Sequence, residues 1–110
     1  MQRDRVKTSH DVPRLSEALS ALCAHESDLR GAGVLHAAIF GSVARGDAVT
    51  GSDVDVLVEL DPAAHVSLFE LAGIERRLTE ILGRKVDVVS KRGLRPGLDD
   101  SILADAVVAF

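Results

Sequence analysis

Two aspartates stand two residues apart on an apolar segment, a spacing that suits divalent cations. Asp53 and Asp55 open the run DVDVLVEL, residues 53–60, which alternates and is rich in valine, as β-strands are. Side chains at positions i and i+2 of a strand project from the same face, with α-carbons about 7 Å apart. Because two neighbouring carboxylates repel each other, a cation between them is expected.

A third carboxylate, Asp87, stands alone among valines in the run VDVV, residues 86–89, which is predicted to be another strand. If this strand lies beside residues 53–60, Asp87 completes the cluster. Three hard oxygen donors suit Mg²⁺, and two such ions are the usual means of phosphoryl or nucleotidyl transfer. We therefore expect Asp53, Asp55 and Asp87 to hold two Mg²⁺ ions, one activating a hydroxyl and one neutralising a triphosphate.

A Gly-Ser pair after an apolar run offers a phosphate site. Gly41 lets the backbone pass close to a phosphate, and Ser42 can cap a short helix that begins there. The positive end of such a helix attracts anions, and the Ser42 hydroxyl and the Arg45 guanidinium can add donors. The segment is not a Walker loop, because Asp47 stands where that motif needs a lysine.

The elements that position these residues follow from apolar periodicity and from Gly and Pro. Helices are predicted at about 12–30, at 65–82 and from about 99 to 107, and strands at 34–40, 53–60 and 86–89. The order α-β-β-α-β-α predicts an α/β (α+β) fold. We expect a small mixed sheet of three to four strands, flanked by helices, with the three aspartates at one rim.

Composition narrows the class of protein. The 110 residues, 46% of them hydrophobic, predict a single domain, 1–110, with a loose tail at 1–11. A net charge of −4 and only three aromatic residues argue against general nucleic-acid binding. The single cysteine cannot form an internal disulfide, and no signal peptide or membrane span is predicted, so we expect a cytoplasmic protein.

The segment GSVARGDAVTGSDVDVLVEL, residues 41–60, resembles the signature of the minimal (MNT-type) nucleotidyltransferases, small members of the DNA polymerase β-like superfamily. The matching positions are Gly41, Ser42, Ala44, Arg45, Gly46, Ser52, Asp53 and Asp55. The run GRKVDVVS, residues 83–90, resembles that family's third-aspartate strand. The resemblance covers residues 34–108 and implies the polymerase β-like fold.

The resemblance also implies an activity. Members transfer a nucleotide, often AMP from ATP, onto a hydroxyl of a partner protein or RNA, and many act as the antitoxin of a HEPN/MNT-type toxin–antitoxin pair. It implies that Asp53 and Asp55 bind two Mg²⁺ ions, and that Asp87 binds the catalytic ion and helps to deprotonate the acceptor. The implied nucleotide-binding residues are Gly41, Ser42, Arg45 and Ser52.

Three questions stay open at this point: whether the chain is catalytic, what closes its site, and what the basic loop does. The chain can be a non-catalytic antitoxin that neutralises a helical partner by occlusion. The missing helical domain of larger relatives can be supplied by a HEPN-like toxin or by a homodimer, or the site can simply be open. The basic residues of the loop 91–97, Lys91, Arg92 and Arg95, can contact phosphate or can form a solvated surface.

Overall fold

The computed structural model describes residues 12–93 and 98–110, with the backbone alone at residues 98 and 99. The helices are α1 Leu15–Ala24, α2 Glu26–Gly31, α3 Gly41–Arg45, α4 Leu68–Leu82 and α5 Leu98–Asp105, the strands are β1 Val34–Phe40, β2 Val54–Leu60, β3 Val86–Ser90 and β4 Val107–Val108, and 3-10 turns occupy Pro62–Ala64 and Lys91–Gly93. The predicted loose tail at 1–11 and the loop position Arg95 lie outside the described residues.

The four strands form one mixed sheet in the order β3-β2-β1-β4. β1 is antiparallel to both β2 and β4, whereas β2 and β3 are parallel. Parallel neighbours need a long connection, and α4 provides it between β2 and β3. The predicted α/β class with a mixed, helix-flanked sheet is confirmed. As a result, the end of β1 and the starts of β2 and β3 meet at the same end of the sheet.

The core lies between one face of the sheet and the helices α1, α2 and α4. Its fully buried side chains come from the helices and from alternate strand positions, among them Leu22, Leu29, Leu78, Ile39, Val54, Val56 and Val58. Alternation along β2 sends Asp55 and Leu57 to the opposite face. Burial of the valines thus fixes the register that presents Asp55 away from the core.

The helix predicted at 12–30 is two helices, because the chain turns at His25. The backbone N–H of His25 donates to the carbonyl of Leu22, one residue closer than in an α-helix, over 3.1 Å. Its ring nitrogen Nδ1 donates to the carbonyl of Ala21, over 2.9 Å. The side chain thereby takes the acceptor that a continuous helix gives to its own backbone.

Helix α4 begins at Leu68, three residues later than predicted. Ser67 and Glu70 form a capping box: the Ser67 hydroxyl accepts from the Glu70 N–H over 3.1 Å, and Glu70 Oε1 accepts from the Ser67 N–H over 2.9 Å. These bonds lower the pKa of Glu70. Gly83 ends the helix in a left-handed conformation, as predicted.

The C-terminal prediction was wrong in one respect. Val107 was included in the last helix, but α5 ends at Asp105 and β4 follows it. In β4, Val107 and Val108 pair with Ile39 and Ala38 of β1. A two-residue strand carries no periodicity, so only the open edge of β1 reveals it.

The apolar run 34–40 predicts that His36 is a hydrogen-bonded core residue of β1, and the structure contradicts this prediction. Its side chain is exposed. Ala37 and Ile39 are buried in the core, so alternation along β1 sends the side chain of His36 to the opposite face of the sheet. In the described ranges, no helix has both the length and the apolar character needed to cross a bilayer.

Candidate active site

The three predicted aspartates and the Gly-Ser turn meet at one end of the sheet. Asp55 and Asp87 are register partners in the parallel β2–β3 pair. Phe40, the residue before Gly41, is the partner of Asp55 across the antiparallel β1–β2 pair. Asp53 directly precedes β2. The strands that carry Asp55 and Asp87 are therefore neighbours, as the predicted cluster requires.

The carboxylates are close enough to repel one another. Burial raises the pKa of Asp55, and the negative charges of Asp87 and then Asp53 raise it further, while the positive charge of Arg45 acts in the opposite direction. Asp87 lies on an edge strand and is exposed. Asp53 is 35% exposed, and Lys85 Nζ lies 3.9 Å from its Oδ2. The cluster thus carries excess negative charge at a solvent-accessible sheet end.

This donor set fits a divalent cation of the Mg²⁺ type. Carboxylate oxygens are hard ligands, and mutual repulsion of this kind is relieved by a bound cation. Within residues 12–93 and 98–110, no three His, Cys, Asp or Glu side chains are arranged to hold an ion as they stand.

Gly41 gives the site its tight turn. Its φ of +73° is one that glycine adopts readily, and it leads directly from β1 into α3. A β-carbon at this position would lie 3.1 Å from Cγ of Asp55 and closer still to its carboxylate oxygen. The Asp55 carboxylate therefore occupies the space that any other residue would fill.

Ser42 does not have the capping role expected of it. Helix α3 begins at Gly41, so its N-cap is Phe40, and no side-chain hydrogen bond caps the helix. The Ser42 carbonyl accepts from the Asp47 N–H over 2.9 Å, which holds the end of the helix. Binding of phosphate by the Ser42 hydroxyl stays a prediction.

Arg45 is held by two carboxylates. Its Nε donates to Asp47 over 3.0 Å, and its Nη1 donates to Asp105 over 2.8 Å. The hydrogen bonds to Asp105 and then to Asp47 raise the pKa of Arg45. Sequence reasoning singled out Arg45 but missed Asp105, which lies 60 residues further along the chain and has no motif around it.

Ser52 closes the turn before Asp53. Its hydroxyl accepts from the Val49 N–H over 2.9 Å, and its own N–H donates to the Val49 carbonyl over 3.0 Å. This pair fixes the chain where it enters β2. Ser52 thus has a structural role in placing Asp53, and its contact with a nucleotide stays a prediction.

The described basic residues of the loop 91–97 lie at the other end of the strands. Lys91 and Arg92 follow the C-terminal end of β3, whereas Asp87 is near its start. Lys91 Nζ lies 3.8 Å from Oε1 of Glu59, beside a cleft of about 390 Å³. This position favours the solvated surface over a phosphate contact for Lys91.

Comparison with known proteins agrees with this geometry. The family described as the nucleotidyltransferase domain matches residues 15–109. Over 94 residues, the chain is 38% identical to protein adenylyltransferase MntA of Thermococcus cleftensis, covering 84% of this chain and 93% of the relative. The chain belongs to the nucleotidyltransferase domain family. The family resemblance of residues 41–60 is confirmed.

Solved structures resemble this nucleotidyltransferase in fold. One minimal nucleotidyltransferase is 34% identical, with a TM-score of 0.63, and the match covers 97% of this chain and 95% of that one. A chain in the complex of tri-AMPylated Shewanella oneidensis HEPN toxin with MNT antitoxin matches with a TM-score of 0.60 at 17% identity, covering 84% of this chain and 71% of that one. At 17% identity, this second match supports only a shared fold.

Proposed function

We propose that this nucleotidyltransferase uses Mg²⁺ to transfer AMP from ATP onto a hydroxyl of a partner protein. The observation that carries the proposal is the pairing of Asp55 with Asp87 beside the Gly41 turn. It brings the proposed cation ligands next to the glycine turn to which we assign the phosphates. The name of the Thermococcus cleftensis relative, a protein adenylyltransferase, supports AMP as the group transferred and protein as the acceptor.

From the strand order, we assign the two substrates to two sides of the site. The turn at Gly41 and Ser42 follows β1, and we assign it the β- and γ-phosphates, with Arg45 assisting. Asp87 lies exposed on the edge strand β3, on the far side of Asp55. An acceptor can therefore reach Asp87 from the β3 side while the triphosphate occupies the β1 side.

The proposed reaction is the attack of an acceptor hydroxyl on ATP. The acceptor oxygen attacks the α-phosphorus of ATP, the bond between that phosphorus and the α–β bridging oxygen breaks, and pyrophosphate leaves. The acceptor proton passes to the Asp87 carboxylate. Two Mg²⁺ ions, when held by Asp53, Asp55 and Asp87, supply positive charge against the triphosphate and lower the pKa of the attacking hydroxyl. Asp55 and Asp53 thereby act as ligands, and Asp87 acts as ligand and proton acceptor.

We propose a HEPN-like helical toxin as the partner, with this chain as its antitoxin. The Shewanella oneidensis complex supports this partner class by analogy. Its HEPN toxin is tri-AMPylated, and one chain of the complex resembles this protein in fold. A partner or a second copy can supply the wall that closes an open, exposed site. A reaction that consumes ATP fits the cytoplasmic location expected from the sequence.

Incubation with labelled nucleotides tests the proposal. The protein and the product of the neighbouring gene are mixed with Mg²⁺ and each of the four labelled nucleoside triphosphates in turn. We expect ATP to label the partner protein, and Asp53→Asn or Asp87→Asn to abolish labelling while circular dichroism shows a folded protein.

Asp28→Asn is the matched control, because Asp28 pairs with Arg77 away from the aspartate cluster. Labelling at the wild-type rate in both site variants overturns the proposal, and labelling of added RNA in place of protein overturns the acceptor class.

One observation favours a second candidate function, neutralisation by occlusion. Leu68 and Phe69 at the start of α4 are 85% and 86% exposed, which is unusual for large apolar side chains and typical of contact surfaces. The variant carrying Asp53→Ala and Asp55→Ala separates the two functions in a growth assay with the toxin. Neutralisation that survives this variant but is lost with Leu68→Ser and Phe69→Ser supports occlusion, and the reverse pattern supports catalysis.

A further inference from the structure

Arg45 ties the short helix after β1 to the last helix of the chain. Its guanidinium donates from Nε to Asp47, on the loop after α3, and from Nη1 to Asp105, the final residue of α5. The two bonds occupy different edges of the planar group and use two of the five N–H groups of a guanidinium. A planar group held on two edges cannot rotate freely, so its remaining donors keep a fixed direction.

Asp105 differs from the other acidic partners of surface ion pairs. Its side chain is 26% exposed, less than that of Glu26, Asp28, Asp47, Asp53 or Glu59, each of which also pairs with a Lys or Arg. The chain passes almost directly from Asp105 into β4, which pairs with Ala38 and Ile39 of β1. The same strand, β1, ends at Gly41, so Asp105 and the turn are fixed to one framework.

The direction in which Arg45 is held matters for the site. Arg45 is four residues after Gly41 in α3, so the two lie on the same face of this short helix. Its positive charge is also close enough to Asp55 to oppose the repulsion from the other aspartates. Arg45 thus belongs to the short helix that begins at the proposed triphosphate turn, and its charge acts on the carboxylate cluster.

We propose that Asp105 is a positioning residue that holds the Arg45 guanidinium in the orientation needed to bind the triphosphate at the Gly41–Ser42 turn. The inference rests on the proposed function, since it presumes that ATP binds there. Asp105 acts through Arg45 and makes no contact with the nucleotide. Asp47, which is 64% exposed and only two residues from Arg45, gives weaker restraint to the same group.

The affinities for MgATP and for AMP, measured side by side by calorimetry, test this role. A residue that orients a triphosphate ligand affects ATP far more than AMP, whereas a merely structural residue affects both alike. We expect Asp105→Asn to weaken MgATP binding about tenfold, the scale of one charge-assisted hydrogen bond, and AMP binding less than about twofold. Asp28→Asn, which breaks an Arg–Asp pair elsewhere whose arginine is about as exposed as Arg45, is expected to change neither affinity.

A double-mutant cycle adds a readout that does not depend on the stability of one variant. Arg45→Lys keeps a charged partner for Asp105 and so preserves the fold, but it lacks the planar fork. We expect Arg45→Lys to bind MgATP as weakly as Asp105→Asn, and the double variant to bind no more weakly than either. Equal losses for MgATP and AMP, or additive losses in the cycle, would overturn the positioning role. Wild-type protein that fails to bind MgATP would overturn the proposed function and this inference together, whereas wild-type affinity in Asp105→Asn would overturn this inference alone.

Discussion

The carboxylate of Asp55 lies directly against the α-carbon of Gly41. The contact crosses the β1–β2 pair at its last register position, where Phe40 faces Asp55. Gly41 has a φ of +73°, and a β-carbon there would lie 3.1 Å from the Asp55 Cγ and clash with its oxygen. The proposed cation ligand therefore packs against the proposed phosphate turn, and only a glycine at position 41 leaves room for it.

Gly41→Ala should be destabilising for two reasons, the positive φ and the clash with Asp55. Gly83→Ala is the matched control, because Gly83 has a φ of +69° and nothing within 4 Å of a β-carbon. We expect Gly41→Ala to lower the free energy of unfolding by about 1–3 kcal/mol more than Gly83→Ala does, the cost of overpacking. Urea denaturation of both variants measures the difference, and equal losses would contradict the close contact.

Asp55 should make stability depend on pH when no Mg²⁺ is present. Burial and the charges of Asp87 and Asp53 raise its pKa, so the folded protein binds this proton more tightly than the unfolded chain. The wild-type free energy of unfolding should therefore fall as the pH rises through the folded pKa, because the ionised form is disfavoured. Asp55→Asn removes this dependence.

Chemical denaturation in the presence of a metal chelator, at several pH values, measures this dependence of the free energy of unfolding. Relative to the wild type, Asp55→Asn should gain stability as the pH rises above about 4, where the carboxyl of the unfolded chain is half ionised. The sign is opposite to that of a salt-bridged aspartate, which stabilises when ionised. A difference between the two proteins that is independent of pH would contradict the repulsion among the aspartates.

Addition of Mg²⁺ with ATP should offset the repulsion among the aspartates and stabilise the folded protein. A ligand that binds only the folded state stabilises it by mass action, by about 2.7 kcal/mol at one hundred times its dissociation constant. We expect the melting temperature of the wild type to rise by several degrees at millimolar MgATP, and that of Asp55→Asn to stay nearly constant. Sodium chloride at equal ionic strength controls for screening, and a wild-type shift no larger than with salt counts against a cation site.

The capping box should contribute to stability without affecting activity. Ser67→Ala removes the acceptor for the Glu70 N–H at the start of α4 and should cost about 1 kcal/mol. Thr79→Ala serves as the control, since the Thr79 hydroxyl donates to the Glu75 carbonyl within the same helix, where its loss costs little. Thermal unfolding and the labelling assay together check both statements, and reduced labelling in a folded Ser67→Ala protein would contradict the second.

Much of the fold and of the candidate site could be predicted from local sequence. The strands at 34–40, 53–60 and 86–89 are apolar or alternating runs, and the structure ends them within a residue of these bounds. Gly83 marks a helix end, because few other residues adopt its conformation. The motif from Gly41 to Asp55 likewise indicates the family, since its chemistry depends on residue types at short, fixed spacing.

The remainder was decided by contacts between distant segments, which no local pattern encodes. The pairing of Arg45 with Asp105 joins residues 60 apart, and β4 exists because β1 has an open edge. The His25 break depends on one ring competing for a backbone acceptor. Sequence by itself determined which side chains can bind cations and phosphate, because residue type and strand parity are local properties. Only the tertiary structure decided that Asp87 lies beside Asp55 and which carboxylates hold Arg45, because strand order and helix docking follow from burial of the whole core.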